Sequence, residues 1–278
     1  MYNLKVITYP DLSRQVKLYK VPVMLGCDMP ERERKKRIKE KDVFTGRPVR
    51  EFDDKKDLEI IDRSLQVSAN RSKDKIYQLA KSNEWEWFTT FTFDEKKVDR
   101  FDYSACSKAL SQWLNNMRKH SPNLAYLIVP ECHKDGAFHF HGLFANCEGL
   151  KIKDTGRTVI QKWIGDNGRK RYRKTKDKIY IFDRYKFGWM TATVVKDNVR
   201  VTKYITKYVT KELYSSTFNK KRYWASRNLL LPNVEVEMID SSEWSGVRGE
   251  LVDTANYHKH IDVSQYANQE VDIFELNA

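Results

Sequence analysis

The sequence predicts an α+β fold, a mostly antiparallel sheet with helices packed on one face, and three observations carry that expectation. Short segments rich in aromatic and β-branched residues alternate in polarity at 84–93, 125–131, 137–144 and 188–195. Segments around 71–83, 107–120 and 198–214 repeat apolar residues at helical spacing instead. From 84 onward these follow one another as strand, helix, two strands, strand and helix, an order that suits a sheet backed by helices.

Each element has its own warrant. In RSKDKIYQLAKSN (71–83), Ile76, Leu79 and Ala80 fall on one helical stripe, and Asn83 is placed to close the helix. EWEWFTTFTF (84–93) alternates as a strand does. SKALSQWLNNMRKH (107–120) puts Leu110, Trp113, Leu114 and Met117 on a core-facing stripe. AYLIVPE and AFHFHGLF form a strand pair, with Lys134, Asp135 and Gly136 as the turn between them. A polar stretch containing RKRYRKTKDK (169–178) precedes the strand GWMTATVV (188–195). NVRVTKYITKYVTKELY (198–214) reads as the last helix of the region.

Outside this region the patterning fades. Residues 1–70 are polar without a clear period, and PERERKKRIKEKD (30–42) fits a short charged helix or a solvated arm equally well. The expected organisation is a charged N-terminal extension over 1–70, a folded domain over 71–230 and an acidic C-terminal extension over 231–278. The formal charge is +13, but ten acidic and two basic residues follow Pro232, leaving +21 on the first 230 residues. That asymmetry favours a polyanionic partner for the first 230 residues over a basic surface kept for solubility alone. Cys27, Cys106, Cys132 and Cys147 are widely spaced, which suits free thiols in a reducing compartment. No apolar run reaches the roughly 18 residues of a membrane span, and MYNLKVITYPD does not read as a signal peptide. The expected setting is cytoplasmic, with no membrane partner.

The histidine pair in AFHFHGLF raises the question of chemistry. Side chains of a strand alternate, so His139 and His141 share a face roughly 7 Å apart. A three-residue loop pairs His133 with Ala137 and sets Glu131 opposite His139 on that same face; a two-residue loop would put Glu131 on the wrong side. H-x-H alone also describes two ordinary strand histidines, and the third donor is what turns the pair into a ligand set. Imidazole with carboxylate and no thiolate suits Mn²⁺ or Mg²⁺ with open positions, and also admits Zn²⁺ or Fe²⁺. Cys132 is expected to face the opposite side.

Tyr204 and Tyr208 lie four residues apart, and each has a lysine three residues on, Lys207 and Lys211. An ammonium beside a phenol favours phenolate, and it can equally hold a phosphate. Such a pair can also be core packing, but Val201, Ile205 and Val209 already supply a separate apolar face. A phenol, a lysine and an oxygen-loving ion suit attack on a phosphodiester. Tyrosine is the nucleophile, the metal offsets charge on the phosphate, and lysine steadies the oxyanion or the leaving 3′-hydroxyl.

In chain order, WFTTFTF, VPECHKDGAFHFHGLF and YITKYVTKEL resemble the three motifs of the HUH-family rolling-circle replication initiators of bacterial plasmids, phages and mobile elements. RSKDKI before the first strand and KRYWASRNL after the tyrosines add to the likeness, which covers about residues 71–230. It implies a ferredoxin/RRM-like antiparallel five-stranded sheet and a metal-dependent endonuclease and strand transferase of the two-tyrosine type. It implies nicking at an origin that leaves a 5′-phosphotyrosine and a free 3′-hydroxyl. Glu131, His139 and His141 would be the metal ligands, Tyr204 and Tyr208 the nucleophiles, and Lys207 and Lys211 their phosphate partners. Single-stranded or extruded origin DNA is the expected substrate, in the cytoplasm of a bacterial host. No Walker motif is present, so a host helicase and a polymerase are expected partners.

Arg71, Lys73, Arg222 and Arg227 flank the motifs as candidate phosphate contacts. Thr90 and Thr92 alternate with Phe91 and Phe93 and are candidates for the DNA-facing side of the sheet. Tyr223 and Trp224 are either base-stacking platforms or core aromatics. The basic cluster at 169–178 is either a grip on duplex DNA or a solvated hairpin. A relaxase for conjugative mobilisation and a non-catalytic DNA-binding regulator are the rival functions.

Overall fold

The computed structural model describes residues 1–24, 54–209, 213, 217, 220–262 and 269–278; the charged stretch 30–42, Cys27 and Lys211 lie outside the described residues. Along the chain come β1 (Tyr2–Thr8), β2 (Arg14–Val23), α1 (Asp54–Lys81), β3 (Trp87–Phe93), α2 (Tyr103–His120), β4 (Ala125–Cys132) and β5 (Phe138–Ala145). Then follow β6 (Ile152–Ile164), β7 (Lys170–Phe182), β8 (Gly188–Val194), α3 (Asn198–Ile205) and a 3-10 turn (Thr206–Tyr208). The last elements are β9 (Trp224–Ala225), β10 (Asn233–Glu237), α4 (Ser241–Thr254), β11 (Tyr257–Asp262) and β12 (Glu270–Leu276). The chain divides into two compact units, one formed by Met1–Ser64 with Pro232–Ala278 and one by Leu65–Leu231.

The two ends of the chain, which in sequence look like separate extensions, share one antiparallel sheet of order β10-β1-β2-β12-β11. Val16, Leu18, Ile239 and Phe274 form its small core, with Trp244, Val247 and Leu251 of α4 packed against them. The sequence hides this sheet because its strands are laced with lysine and glutamate. RQVKLYKVPV, for example, holds only short alternations between charges.

Asp272 on β12 is buried at 2% exposure and accepts hydrogen bonds from Arg248 Nε (2.8 Å), His258 Nε2 (2.7 Å) and His260 Nδ1 (3.0 Å). Burial by itself would raise this carboxyl; the bonds from Arg248, His258 and His260 outweigh it and hold the group at about 2. A carboxyl lowered from 3.8 lends stability that is full above about pH 4 and lost as pH falls towards 2, on the order of 2 kcal/mol. Hydrogen-exchange protection of the β11 and β12 amides should therefore fall between pH 4 and 2, and Asp272→Asn should lack that step. Protection that follows the same acid profile in the variant would contradict this assignment.

The second unit is built on a seven-stranded antiparallel sheet of order β6-β7-β8-β3-β5-β4-β9. The five strands expected are widened because the polar stretch forms a long hairpin, β6–β7, and because β9 adds two residues beside β4. Alternation sorts the two faces. Phe91, Phe140 and Phe144 point to one side, where Trp113 of α2 meets Phe91 at 5.1 Å and Phe144 at 6.0 Å between ring centroids. Asp102 caps α2 by accepting from the Ser104 N–H at 2.8 Å, and Arg118, Lys119 and His120 face the carbonyl end of its dipole. Gly142 is required at the centre of β5, because a Cβ there would meet the Phe144 ring at 2.7 Å and the Thr89 hydroxyl at 2.8 Å.

Three expectations change. The first helix is longer, starting at Asp54 within the segment that looks irregular. The helix expected over 198–214 leaves α-geometry after Ile205 and ends its 3-10 turn at Tyr208, with Val209 at φ −82° and ψ 85°. Val199, Val201, Thr202, Ile205, Thr206 and Val209 are all β-branched, and the Thr206 hydroxyl donates to the Lys203 carbonyl at 2.9 Å, so the local preference for helix is weak. Helices are also not confined to one face: α2 covers the phenylalanine side, while the segment after α3 lies on the histidine side, with Tyr208 stacked on His141.

Candidate active site

The β4–β5 hairpin has the register that a three-residue loop dictates. The His133 N–H donates to the Ala137 carbonyl at 2.9 Å, Gly136 takes φ +86°, and Glu131 stands opposite His139. Pairing on the other edge continues the row, so that Trp189, Thr92, His139 and Glu131 line up across four strands. The next row on the same face runs Thr191, Thr90, His141 and Val129.

Those rows explain how the imidazoles are held. Thr90 Oγ1 lies 3.1 Å from His141 Nδ1, and Thr92 Oγ1 lies 3.3 Å from His139 Nδ1. The threonines proposed as DNA contacts thus orient the histidines, as an outer shell of hydrogen bonds does at metal centres. His141 Nε2 is 2.6 Å from Glu131 Oε2. An ionised carboxylate only accepts, so this bond requires the Nε2–H tautomer, with His141 Nδ1 accepting from the Thr90 hydroxyl.

Burial pulls both imidazoles down, His139 to about 4, with the neighbouring His133 adding to the effect. Both are neutral at pH 7, the form in which imidazole is a ligand. For Glu131 burial acts upward, but the His141 hydrogen bond and the surrounding histidines hold the carboxyl below its ordinary value. The residue types fit a hard or borderline divalent ion. Among the described residues, however, no three His, Cys, Asp or Glu side chains stand around a common point; the donors of this set bond to one another.

His133 belongs to this cluster and was overlooked. It shares the face of Glu131 by strand alternation, reaches Glu131 Oε2 at 3.2 Å, and stacks on His139 with ring centroids 3.9 Å apart. The i, i+2 spacing from Glu131 was the signal available for it. Trp189 was also missed. It is exposed, it occupies the same row as His139 and Glu131, and the Arg157 guanidinium sits 5.7 Å from its ring centroid.

Both tyrosines come to the histidines. The Tyr208 ring stacks on His141 at 3.6 Å with 9° between planes, and Tyr204 meets Tyr208 edge-on at 5.5 Å. Phe88 packs against Tyr204 at 5.3 Å. Tyr208 is half-buried and its phenol is pushed upward, first by burial and then by a hydrogen bond with Tyr204 and the charge of Glu131. The sequence had suggested that a lysine would favour phenolate; for Tyr208, burial and the phenol–phenol bond win and the proton stays. Lys207 is exposed, with its ammonium 5.4 Å from the Tyr204 ring centroid.

The flanking cations divide. Arg71 and Lys73 lie exposed on α1, and Arg227 is exposed after β9. No described bond joins any of these three to the histidine cluster. Arg222 is half-buried and donates to the Ser68 hydroxyl, so it is held within the fold. Trp224 is a core aromatic, packed on Phe140 at 5.1 Å and donating to Ser111 Oγ. Among the described residues no helix is long and apolar enough to cross a membrane.

No curated protein and no solved structure matches the chain. Residues 86–213 do match a family model, that of the ORF2-type replication-associated proteins. The matched span runs from just before β3 to Leu213 and holds Glu131, His133, His139, His141, Tyr204 and Tyr208. Over that span the chain is similar to replication-associated proteins, a likeness that points to a part in replication initiation and to DNA as the partner.

Proposed function

We propose that the Leu65–Leu231 unit is a metal-dependent endonuclease and strand transferase of the two-tyrosine HUH type. It nicks and rejoins single-stranded or extruded DNA at a replication origin and so starts rolling-circle replication. One observation carries the reading: a phenol, Tyr208, stacked 3.6 Å from an imidazole, His141, that is itself bonded to a carboxylate, Glu131. A binding protein has no need of that set.

Glu131, His139 and His141 would hold Mn²⁺ or Mg²⁺, which when bound polarises the scissile phosphate and offsets its developing charge. Thr90 and Thr92 keep the ring nitrogens aimed. Tyr204, at 43% exposure, is the phenol open to a strand laid on the sheet, and its partner Tyr208 is shielded. Tyr204 Oη attacks phosphorus and the P–O3′ bond breaks. The electron pair leaves with the 3′-oxygen, which is protonated to the free hydroxyl that a polymerase extends. Lys207 stands beside Tyr204 to steady the phosphate. Tyr208 then serves a second transfer, which rejoins strands without hydrolysis.

The test is to incubate the full chain with Mn²⁺ and labelled single-stranded oligonucleotides from its own replicon. Label should remain on the protein through denaturation and be lost in the Tyr204→Phe/Tyr208→Phe double variant. Tight DNA binding without any adduct would overturn the nuclease and leave a DNA-binding regulator.

A further inference from the structure

The β6–β7 hairpin is the most basic feature of the second unit, and its charges are sorted in space. Near its base the cations are paired: Lys153 with Asp183 (3.2 Å), Lys178 with Asp154 (2.8 Å), and Lys196 of the following loop with Asp177. Beyond Val159 the pattern changes. Residues 160–174 carry Lys162, Arg169, Lys170, Arg171, Arg173 and Lys174 against a single acid, Asp166, in the turn. Among the described residues no carboxylate pairs with any of those six. Every one is exposed.

Register separates the cations by type. Gln161 pairs with Arg173 and Trp163 with Arg171, while Ile160 pairs with Lys174, Lys162 with Tyr172 and Ile164 with Lys170. Paired residues of an antiparallel ribbon share a face. One face therefore presents Arg169, Arg171 and Arg173 with Gln161 and Trp163, and the other presents the three lysines with Tyr172 and two isoleucines. Contacts agree with this sorting: Arg173 Nη2 donates to Gln161 Oε1 at 3.3 Å, and the Lys162 ammonium lies 5.8 Å from the Tyr172 ring centroid. The closing turn is tight, with the Gly165 N–H donating to the Arg169 carbonyl at 2.9 Å and Gly168 at φ +72°.

We infer that the outer half of this hairpin grips double-stranded DNA beside the nick site, laying its arginine face along the major groove; the placement beside a nick rests on the nuclease reading above. A two-stranded ribbon fits a groove about 12 Å wide. Alternate residues of a strand repeat at about 6.8 Å, which is two base-pair steps of about 3.4 Å, so the three arginines meet every second step. Arginine forks match the guanine major-groove edge, glutamine matches adenine, and the indole of Trp163 offers an apolar surface to thymine methyls. The lysine face points away from the bases and adds only general attraction to phosphate. Unpaired like charges packed on one narrow ribbon repel each other, and a polyanion relieves that repulsion.

The experiment compares faces in the full chain. Binding of a fluorescent 20-base-pair duplex is measured by anisotropy across a salt series for wild type, Arg169→Gln/Arg171→Gln/Arg173→Gln and Lys162→Gln/Lys170→Gln/Lys174→Gln. The arginine variant should bind duplex at least about 30-fold more weakly and lower the salt slope by about 2 to 3. The lysine variant, equal in charge loss, should weaken binding by no more than about threefold. Formation of the covalent adduct on a single-stranded oligonucleotide should change by less than about twofold in either variant. Equal losses from the two faces, unchanged duplex binding in the arginine variant, or a loss confined to single strands would each overturn the assignment. Absence of adduct in wild type would instead sink the nuclease reading, while the duplex comparison still tests the hairpin.

Discussion

Replacing Tyr204 with phenylalanine is expected to reduce formation of the first protein–DNA adduct by on the order of 10³-fold or more, the scale seen when a nucleophile is removed. Tyr208→Phe should leave that first adduct within about tenfold of wild type and abolish the second transfer, so that cleaved strands accumulate unjoined. The asymmetry follows from the surroundings of two chemically identical phenols. Tyr204 is 43% exposed and has Lys207 over its ring. Tyr208 is stacked on His141, half-buried and bonded to Tyr204, and all of these keep its proton on. Gel separation of denatured adducts from the two single variants reads the order directly. A first adduct that survives Tyr204→Phe and disappears in Tyr208→Phe would reverse it.

Glu131→Gln should weaken Mn²⁺ binding by at least about 100-fold, beyond the 10- to 100-fold typical when an outer partner of a metal ligand is lost. The amide keeps the volume and can still bond His141, so the hairpin should stay folded; circular dichroism checks that. What it loses is the only carboxylate among the three proposed ligands. Thr90→Val is the matched control, because it removes the 3.1 Å contact to His141 Nδ1 and leaves every ligand in place. Its loss should be about tenfold. Calorimetric titration with Mn²⁺ separates the two outcomes, and a Glu131→Gln protein that binds Mn²⁺ as wild type does would remove the metal from the proposal.

How much of this was legible beforehand varies by element. The β4–β5 hairpin could be read to the residue, because a three-residue turn, an alternating strand and a glycine at positive φ leave one register. The core stripe of α2 was equally plain, since Leu110, Trp113, Leu114 and Met117 sit at helical spacing and all are buried. The sheet made by the two chain ends was not legible. Its strand partners lie more than two hundred residues apart, Leu4 opposite Glu237 and Val16 opposite Phe274, and no local pattern announces such pairings.

Sequence by itself determined the chemistry available to this protein: which strand face holds Glu131, His139 and His141, and which segment holds the two phenols. Those follow from periodicity, which is a local property of the chain. Tertiary structure alone decided how these groups meet. It stops α3 at Ile205 and carries Tyr208 in a 3-10 turn onto the His141 ring, where burial keeps the phenol protonated. It also brings His133 back over His139, sets Thr90 and Thr92 against the imidazoles, and sorts arginines from lysines on the β6–β7 hairpin. Each of these depends on contacts between strands and on desolvation, and neither is set by a residue's neighbours in the chain.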